Sequence, residues 1–188
     1  MKLDKNAVLI VIDVQQAFDD PRMGKRNNPA AEKNIARLLD GWRTSGRPVI
    51  HVRHDSVEPQ SILRPGEPGN QLKPEARPLR DEPVIGKHVN SAFIGTDPEQ
   101  RLRAAGQDSV VLVGLTTDHC VSTTARMAGN LGFHTIVIAD ATAAFDRTGH
   151  DGVTVPAEEI YRGALASLQG EFAEVTTTDA VLAAIRNP

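Results

Sequence analysis

Three side chains with complementary chemistry stand after three apolar runs of this sequence. Asp13 follows residues 7–12, Lys87 follows residues 83–85, and Cys120 follows residues 109–113 after a short turn. A free thiol has a pKa of about 8.5 and is a strong nucleophile only after it loses its proton. A carboxylate can accept that proton, and an ammonium group stabilises both anions. The trio therefore suits attack by sulfur on an amide carbonyl, with backbone N–H groups binding the oxyanion and water hydrolysing the acyl-enzyme.

Cys120 is the one cysteine of the chain, and its position favours reactivity. The apolar run 109–113 leads into it and the helix-like stretch 121–128 follows it. Backbone N–H groups and the dipole at the start of a helix favour a thiolate. A single cysteine forms no internal disulfide, which is consistent with a reducing compartment.

Each of the three residues also has a structural interpretation. A lone cysteine often serves as a small buried apolar residue. An aspartate at a strand end often forms a turn or caps a helix, and a lone lysine is usually solvated. Their shared position at strand ends favours the catalytic interpretation, although spacing along the sequence does not show whether Asp13, Lys87 and Cys120 meet in space.

Composition excludes several classes of function. The 188 residues suit one domain, and 21 basic against 24 acidic residues give a net charge of −3 without a run of like charge. We therefore expect binding neither to nucleic acid nor to a membrane surface. The amino terminus lacks the pattern of a signal peptide, and no segment approaches the ~20 apolar residues of a membrane span. These features predict a cytoplasmic protein.

The three residues require a sheet to position them. Continuous apolar runs, buried on both faces, are typical of parallel strands between helices. We predict strands over residues 7–12, 48–53, 83–85, 109–113, 134–139 and 171–175. Helical spacing and terminal signals predict helices over residues 29–45, 97–105, 118–131, 156–168 and 179–185. The sequence thus predicts an α/β fold: a single domain over residues 1–188, built as a three-layer α/β/α sandwich with a six-stranded, mainly parallel, Rossmann-like sheet.

The segment 54–82 interrupts this alternation and contains five prolines. A loop of this length in a compact domain is usually a lid or a binding loop. Arg64, within it, would either pair with a substrate carboxylate or remain a solvated charge.

Three segments resemble the motif blocks of the isochorismatase-like cysteine hydrolase superfamily. They are residues 11–18 (VIDVQQAF), 86–93 (GKHVNSAF) and 114–121 (GLTTDHCV), in the order of the family. The resemblance implies a catalytic triad of Asp13, Lys87 and Cys120, and the fold of that superfamily. It also implies a cis peptide between Leu115 and Thr116, which turns the backbone amides of Thr116 and Cys120 toward the oxyanion.

The same resemblance suggests further roles. Gln15 matches the first block and would support the site. Four residues are candidates for the substrate pocket: Phe18, Asn90, Phe93 and His119. Three others would be structural: Thr117, Asp118 and Arg126. Oligomers are common in the superfamily, so we expect a homo-oligomer, a dimer or tetramer, in which residues 150–157 near Tyr161 could pack against a neighbour.

A metal site is not expected. Nicotinamidases of this superfamily hold a divalent metal with an Asp-x-His pattern after the second strand and a further histidine. Here the corresponding segment reads His51-Val-Arg-His54-Asp55, and the next histidine, His88, stands beside Lys87. We therefore predict neither metal nor cofactor, with His51 in the core and His54 and Asp55 at the mouth of the pocket.

The leading interpretation is a cysteine hydrolase that cleaves a C–N bond of a small carboxamide or ureido compound. Asp13 would act as general acid and base, and Lys87 would stabilise the site. Two alternatives remain: isochorismatase-type hydrolysis of a vinyl ether, in which the aspartate transfers the proton, and a binding protein that retains the fold without catalysis. A redox-sensing thiol would lack a second cysteine in the chain.

Overall fold

The computed structural model describes residues 3–186, so the extreme ends of the predicted domain lie outside the described residues. Six parallel strands form one sheet: β1 (Val8–Ile12), β2 (Val49–His54), β3 (Val84–Lys87), β4 (Ser109–Leu115), β5 (His134–Ala143) and β8 (Glu174–Thr176). Their order across the sheet is β3-β2-β1-β4-β5-β8. A small antiparallel hairpin pairs β6 (Arg147–Thr148) with β7 (Thr154–Val155).

Five helices cover the two faces of the sheet. They are α1 (Ala31–Thr44), α2 (Pro98–Ala104), α3 (Ser122–Asn130), α4 (Ala157–Leu168) and α5 (Thr178–Arg186). Alternate residues of the strands point to opposite faces. One face packs with α1 and α5, as the cluster of Leu9, Val111, Leu38 and Val181 shows. The other face packs with α2, α3 and α4. The predicted three-layer α/β/α fold is therefore confirmed.

The order of the strands creates a crevice at the carboxyl ends of the two central strands, β1 and β4. The chain moves outward from β1 to β3 on one side, then returns to place β4 on the other side of β1. Ligands of doubly wound sheets bind where the strand order reverses, at the carboxyl ends of the strands. Here β1 and β4 lie side by side, with Ile12 opposite Gly114. A Cβ atom at Gly114, whose φ is +126°, would lie 1.9 Å from the Ile12 carbonyl oxygen, so only glycine allows this approach.

The structure corrects several predicted boundaries. The helix predicted over 118–131 opens with a wide turn, Thr117–Val121, before α3 begins at Ser122. The last strand starts at Glu174 rather than at 171, because residues 170–172 form a turn. Strand β5 runs four residues beyond 139, and its register with β4 shifts between Leu112 and Gly114. The β6–β7 hairpin was not predicted, since each of its strands has only two residues.

The long segment between β2 and β3 packs beside the segment that follows β1. It contains two short 3₁₀ turns, Pro68–Asn70 and Pro74–Ala76. Its backbone bonds to the segment after β1, where Gln16 N–H donates to the Gln71 carbonyl and Lys73 N–H to the Val14 carbonyl. Among the helices of residues 3–186, none combines the length and apolar character of a membrane span.

Candidate active site

Asp13 and Lys87 meet although their strands are not neighbours. Asp13 follows β1 directly, in a left-handed backbone conformation with φ of 50°. Lys87 ends β3, on the far side of β2, and its side chain crosses the end of that strand. The Lys87 Nζ atom lies 2.6 Å from Asp13 Oδ2, and the two side chains are 0% and 1% exposed. Such a pair is retained only where both charges are compensated, so each depends on the other.

The Lys87 ammonium group is the centre of the site. Besides Asp13, it contacts His54 Nδ1 at 3.1 Å, the Val89 carbonyl oxygen at 3.1 Å and Cys120 Sγ at 3.3 Å. An ammonium group donates up to three hydrogen bonds and cannot accept one, so these four partners share three N–H donors. The predicted acid–base residue and the predicted nucleophile are thus linked through one cation.

The Asp13 carboxyl group retains capacity to accept a proton. Its contact with Lys87 is an ion pair, and within residues 3–186 neither oxygen receives a well-aligned hydrogen bond. Burial raises its pKa above the ordinary value, although the Lys87 charge and contacts to Lys87 and Cys120 oppose this. A buried carboxyl with a raised pKa suits transfer of a proton in both directions.

Cys120 lies in the turn Thr117–Val121 and is 9% exposed. Burial, reinforced by the negative charge of Asp13, raises the pKa of Cys120 to about 12, while Lys87 acts in the opposite direction. Burial thus acts against the effect expected of the helix start, which favours a thiolate. A thiol with a raised pKa needs a base that takes its proton during the attack.

The backbone after β4 offers a donor beside the thiol. The Leu115–Thr116 peptide bond is cis. Within residues 3–186, the Thr116 N–H group donates no hydrogen bond, and the Thr116 hydroxyl oxygen is buried without a partner. The assignment of the Thr116 and Cys120 amides to an oxyanion hole stays a prediction that this arrangement permits.

A cavity of about 190 Å³ opens beside Cys120. It is small for a ligand pocket, so it suits a small substrate or the reacting end of a larger one. Its lining residues are Asp13, Phe18, Met23, His54, Leu63, Asn90, Thr116, His119, Cys120 and Arg147. A larger cavity of about 890 Å³, beside Glu32 and Lys73, contains none of the predicted catalytic residues. The smaller cavity is therefore the candidate active site.

The structure separates the predicted pocket residues into two groups. Four of them line the cavity: Phe18, His54, Asn90 and His119. The Phe93 ring instead stacks on Phe133, with ring centroids 5.8 Å apart, and packs against the core. Arg64 is exposed, and its Nη1 atom donates to the Pro59 carbonyl oxygen, so it lies outside the cavity lining. Of the two alternatives for Arg64, the structure has the solvated charge, and its apolar neighbour Leu63 lines the cavity instead.

Gln15 holds the ends of two strands and the long loop together. It is fully buried, and its Oε1 accepts from the His54 backbone N–H at 2.9 Å. Its Nε2 donates to the His54 carbonyl at 3.1 Å and to the Asn70 carbonyl at 2.9 Å. These contacts agree with the supporting role implied for Gln15, because they fix the backbone of His54.

Arg147 lines the cavity and was not predicted from the sequence. It stands in β6, and its Nε atom donates to Asp118 Oδ2 at 3.1 Å, while Nη2 lies 3.4 Å from His119 Nδ1. It thereby ties the β6–β7 hairpin to the turn that carries Cys120. No local pattern marks an arginine 27 positions after the cysteine as a pocket residue; only the return of the chain after β5 brings it there.

The remaining polar residues considered for a metal do not converge. His51 Nε2 contacts Glu82 Oε2 at 2.9 Å, and Asp55 pairs with Arg53 at 2.7 Å. Within residues 3–186, one group has ligand atoms within 4.8 Å of one another, namely Asp13, His54 and Cys120. All three side chains contact the ammonium group of Lys87. Because this group already supplies a positive charge at their centre, the three residues fit the Lys87 side chain rather than a metal ion.

The residues interpreted as structural are engaged outside the cavity wall. Thr117 Oγ1 donates to Thr142 Oγ1 at 2.9 Å, which joins the turn to β5. The Arg126 guanidinium group lies 4.6 Å above the Phe172 ring and donates to Ser167 Oγ. Val153, in the segment expected to contact a neighbouring subunit, is 59% exposed. The homo-oligomer itself stays a prediction.

Comparison with known proteins gives the family. The family model named Isochorismatase domain matches residues 7–180. The uncharacterized isochorismatase family protein YrdC of Bacillus subtilis (strain 168) is 45% identical over 180 residues, covering 96% of both chains. A structure from Chromobacterium violaceum ATCC 12472, described as a hydrolase of the isochorismatase family, superposes with a TM-score of 0.97 at 46% identity, covering 100% of this chain and 98% of that chain.

Two relatives have names that state an activity. Streptothricin hydrolase of Streptomyces noursei is 33% identical over 178 residues, covering 92% of this chain and 63% of that protein. The structure of N-carbamoylsarcosine amidase from Thermoplasma acidophilum superposes with a TM-score of 0.72 at 28% identity, covering 95% of this chain and 98% of that chain. With its fold and these matches, the chain belongs to the isochorismatase family of hydrolases.

Proposed function

We propose that this protein is a cysteine hydrolase that cleaves the C–N bond of a small carboxamide or ureido compound through an acyl-enzyme on Cys120. The observation that carries the proposal is the shared contact of Asp13 and Cys120 with the buried Lys87 ammonium group beside a small cavity. The named activity of the amidase relative supports a C–N bond as the target.

Attack and acylation use the proton capacity of Asp13. As the Cys120 sulfur bonds to the substrate carbonyl carbon, its proton passes to the Asp13 carboxylate and the carbonyl π electrons move to oxygen. The backbone N–H groups of Thr116 and Cys120 would stabilise that oxyanion. When the tetrahedral intermediate collapses, the C–N bond breaks and Asp13 returns its proton to the departing nitrogen.

Deacylation repeats the sequence with water. Asp13 takes a proton from water as the oxygen bonds to the thioester carbon, and the C–S bond then breaks. Asp13 passes that proton to the departing sulfur, which restores the thiol and the carboxylate, and the acid product leaves. Lys87 stabilises the thiolate and the Asp13 carboxylate and so reduces the cost of charge separation in a buried site.

The test is release of ammonia from a panel of small carboxamides and ureido compounds that includes nicotinamide and N-carbamoylsarcosine. We expect Cys120→Ala to reduce turnover at least about a thousandfold, because the nucleophile and its base act as a unit. Arg64→Ala, an exposed change outside the cavity, serves as the matched control and should retain turnover. Mass spectrometry of rapidly quenched wild-type enzyme should show the acyl adduct on Cys120. Turnover by Cys120→Ala at the wild-type rate would exclude this mechanism.

A second function has one observation in its favour. Burial raises the Asp13 pKa, which suits a carboxyl group that protonates a vinyl ether without help from the thiol. The variants separate the two functions: hydrolysis of a vinyl ether would survive Cys120→Ala and fail in Asp13→Asn, whereas amide hydrolysis fails in both.

A further inference from the structure

The backbone of His54 is held on both sides. His54 ends β2, opposite Lys87 in the parallel register. Its N–H group donates to Gln15 Oε1 at 2.9 Å, and its carbonyl accepts from Gln15 Nε2 at 3.1 Å and from Asn70 Nδ2 at 3.0 Å. The start of the side chain is therefore fixed, which limits the positions that the ring can take.

The Lys87 contact determines which ring nitrogen carries the proton. His54 Nδ1 lies 3.1 Å from Lys87 Nζ, and an ammonium group can only donate. Nδ1 is therefore the acceptor, and in the neutral ring the single proton is on Nε2. Burial, with a further contribution from the Lys87 charge, lowers the His54 pKa to about 4, so the ring is neutral at neutral pH.

The Nε2–H group faces no protein partner. Within residues 3–186, Nδ1 is the one ring atom of His54 that makes a hydrogen bond. The residue is half-buried and lines the cavity, and one of its ring nitrogens lies within 4.8 Å of the Cys120 sulfur and of an Asp13 oxygen. A neutral donor of fixed tautomer is thus available to a molecule bound beside the nucleophile.

We infer that His54 is a substrate-binding residue whose Nε2–H group donates a hydrogen bond to an acceptor oxygen of the substrate. The proposed oxyanion donors belong to the turn after β4, whereas His54 belongs to β2 on the other side of β1. The acceptor is therefore a second oxygen, apart from the scissile carbonyl. This inference rests on the proposed function and narrows the substrate class to amides or ureides whose acyl part carries an additional oxygen acceptor, such as a keto, hydroxyl or second carbonyl group.

Two substitutions separate the roles of the two ring nitrogens of His54. In His54→Asn the amide oxygen can take the place of Nδ1 beside Lys87, but no donor reaches the position of Nε2. In His54→Gln the longer side chain can place its N–H₂ group where Nε2 lies, but the acceptor for Lys87 is lost. Thermal unfolding of both variants checks that the fold is kept.

The probes are two reagents that alkylate Cys120, the one thiol of the chain. Iodoacetamide carries a carbonyl oxygen two bonds from the attacked carbon, and iodoethane carries no acceptor. Rate constants come from the mass of the adduct over time. We expect the ratio of the iodoacetamide rate to the iodoethane rate to fall about fivefold in His54→Asn, the range for one hydrogen bond, and to stay within about twofold of wild type in His54→Gln.

The opposite patterns overturn the inference. If His54→Asn slows both reagents equally, or leaves the ratio at the wild-type value, then His54 does not bind the acceptor and acts through Lys87 alone. Once a substrate is known, His54→Asn should raise its KM more than it lowers kcat. The two measurements also separate this inference from the proposed function. Absence of ammonia release by the wild type would contradict the hydrolase proposal. The alkylation ratio would still decide the role of His54.

Discussion

The Asp13–Lys87 pair gives the sharpest prediction about stability. Lys87→Met keeps the length and most of the volume of the side chain but removes the charge that faces a carboxylate 2.6 Å away. At that distance, with an effective dielectric constant near 20, the lost attraction is about 6 kcal/mol. Both side chains are almost fully buried, so water cannot replace the missing partner.

Protonation of Asp13 limits the cost. A carboxyl group with an ordinary pKa of 3.8 needs about 4.4 kcal/mol to be protonated at pH 7.0, and about 1.6 kcal/mol at pH 5.0. Since the lost attraction exceeds the first value, the variant will tend to bury a neutral carboxyl group. We therefore expect Lys87→Met to lower the free energy of unfolding by about 3–4 kcal/mol at pH 7.0 and by no more than about 1.6 kcal/mol at pH 5.0.

The sign of the pH dependence follows from the raised pKa. The folded Asp13 carboxyl group binds a proton more readily than the unfolded one, so the penalty is absent below the ordinary pKa of 3.8, grows as the pH rises toward the folded pKa, and is full above it. Loss of Lys87 also removes a charge that lowers the His54 pKa. A protonated His54 would then compensate Asp13 at low pH, which acts in the same direction.

The assay is urea-induced unfolding, followed by the fluorescence of Trp42, which is the single tryptophan and is fully buried. Each variant is compared with the wild type at the same pH. The matched control is the double variant Asp13→Asn/Lys87→Met, which leaves no unpaired charge and should recover most of the loss at pH 7.0. A loss that is equal at both pH values, or a double variant no more stable than Lys87→Met, would refute the reasoning.

Three further predictions concern the thiol, the cavity wall and the support beneath it. Because burial raises the Cys120 pKa to about 12, the rate of its alkylation by iodoethane should rise about tenfold per pH unit from pH 6 to 9; a plateau near pH 7 would indicate a stabilised thiolate instead. Arg147→Ala should raise the KM of any substrate found by at least about fivefold. It should lower the free energy of unfolding by less than about 1 kcal/mol, since the Arg147 side chain is 30% exposed and paired with Asp118. Arg64→Ala is the control, and equal KM values for both variants would show that Arg147 does not bind the substrate. Gln15→Leu should lower the free energy of unfolding by about 2–3 kcal/mol in urea titrations, because it removes three hydrogen bonds and takes the side-chain partner from the His54 N–H group and the Asn70 carbonyl; a change under about 0.5 kcal/mol would mean that these hydrogen bonds contribute little.

The predictable part of the molecule is the part controlled by local pattern. Runs such as Val8–Ile12 and Ser109–Leu115 are apolar throughout because both faces of their strands are buried, so six strands and five helices were found from the sequence. Boundaries were less certain where two signals compete. The stretch 118–131 has helical spacing, but residues 117–121 form a wider turn, which carries Cys120.

The side chains of the cavity wall were harder to predict, because loops place them. Phe93 and Arg64 carried chemistry that suited a pocket, yet the Phe93 ring satisfies the core by stacking on Phe133, and Arg64 projects to solvent. Arg147 carried no signal, because a two-residue strand has no periodicity to read. Its contact with Asp118 depends on the path of the chain after β5.

By itself, the sequence determined the fold class, the three strand ends and the three residue types that share chemistry there. Hydrophobic periodicity and turn residues act over a few positions, and they are enough to place Asp13, Lys87 and Cys120 at one edge of a parallel sheet. The tertiary structure alone decided that Lys87 reaches across β2 to join Asp13 to Cys120, and that the thiol is buried, which raises its pKa. The reason is physical: burial and charge pairing depend on all the elements that surround a group, and those elements come from distant parts of the chain.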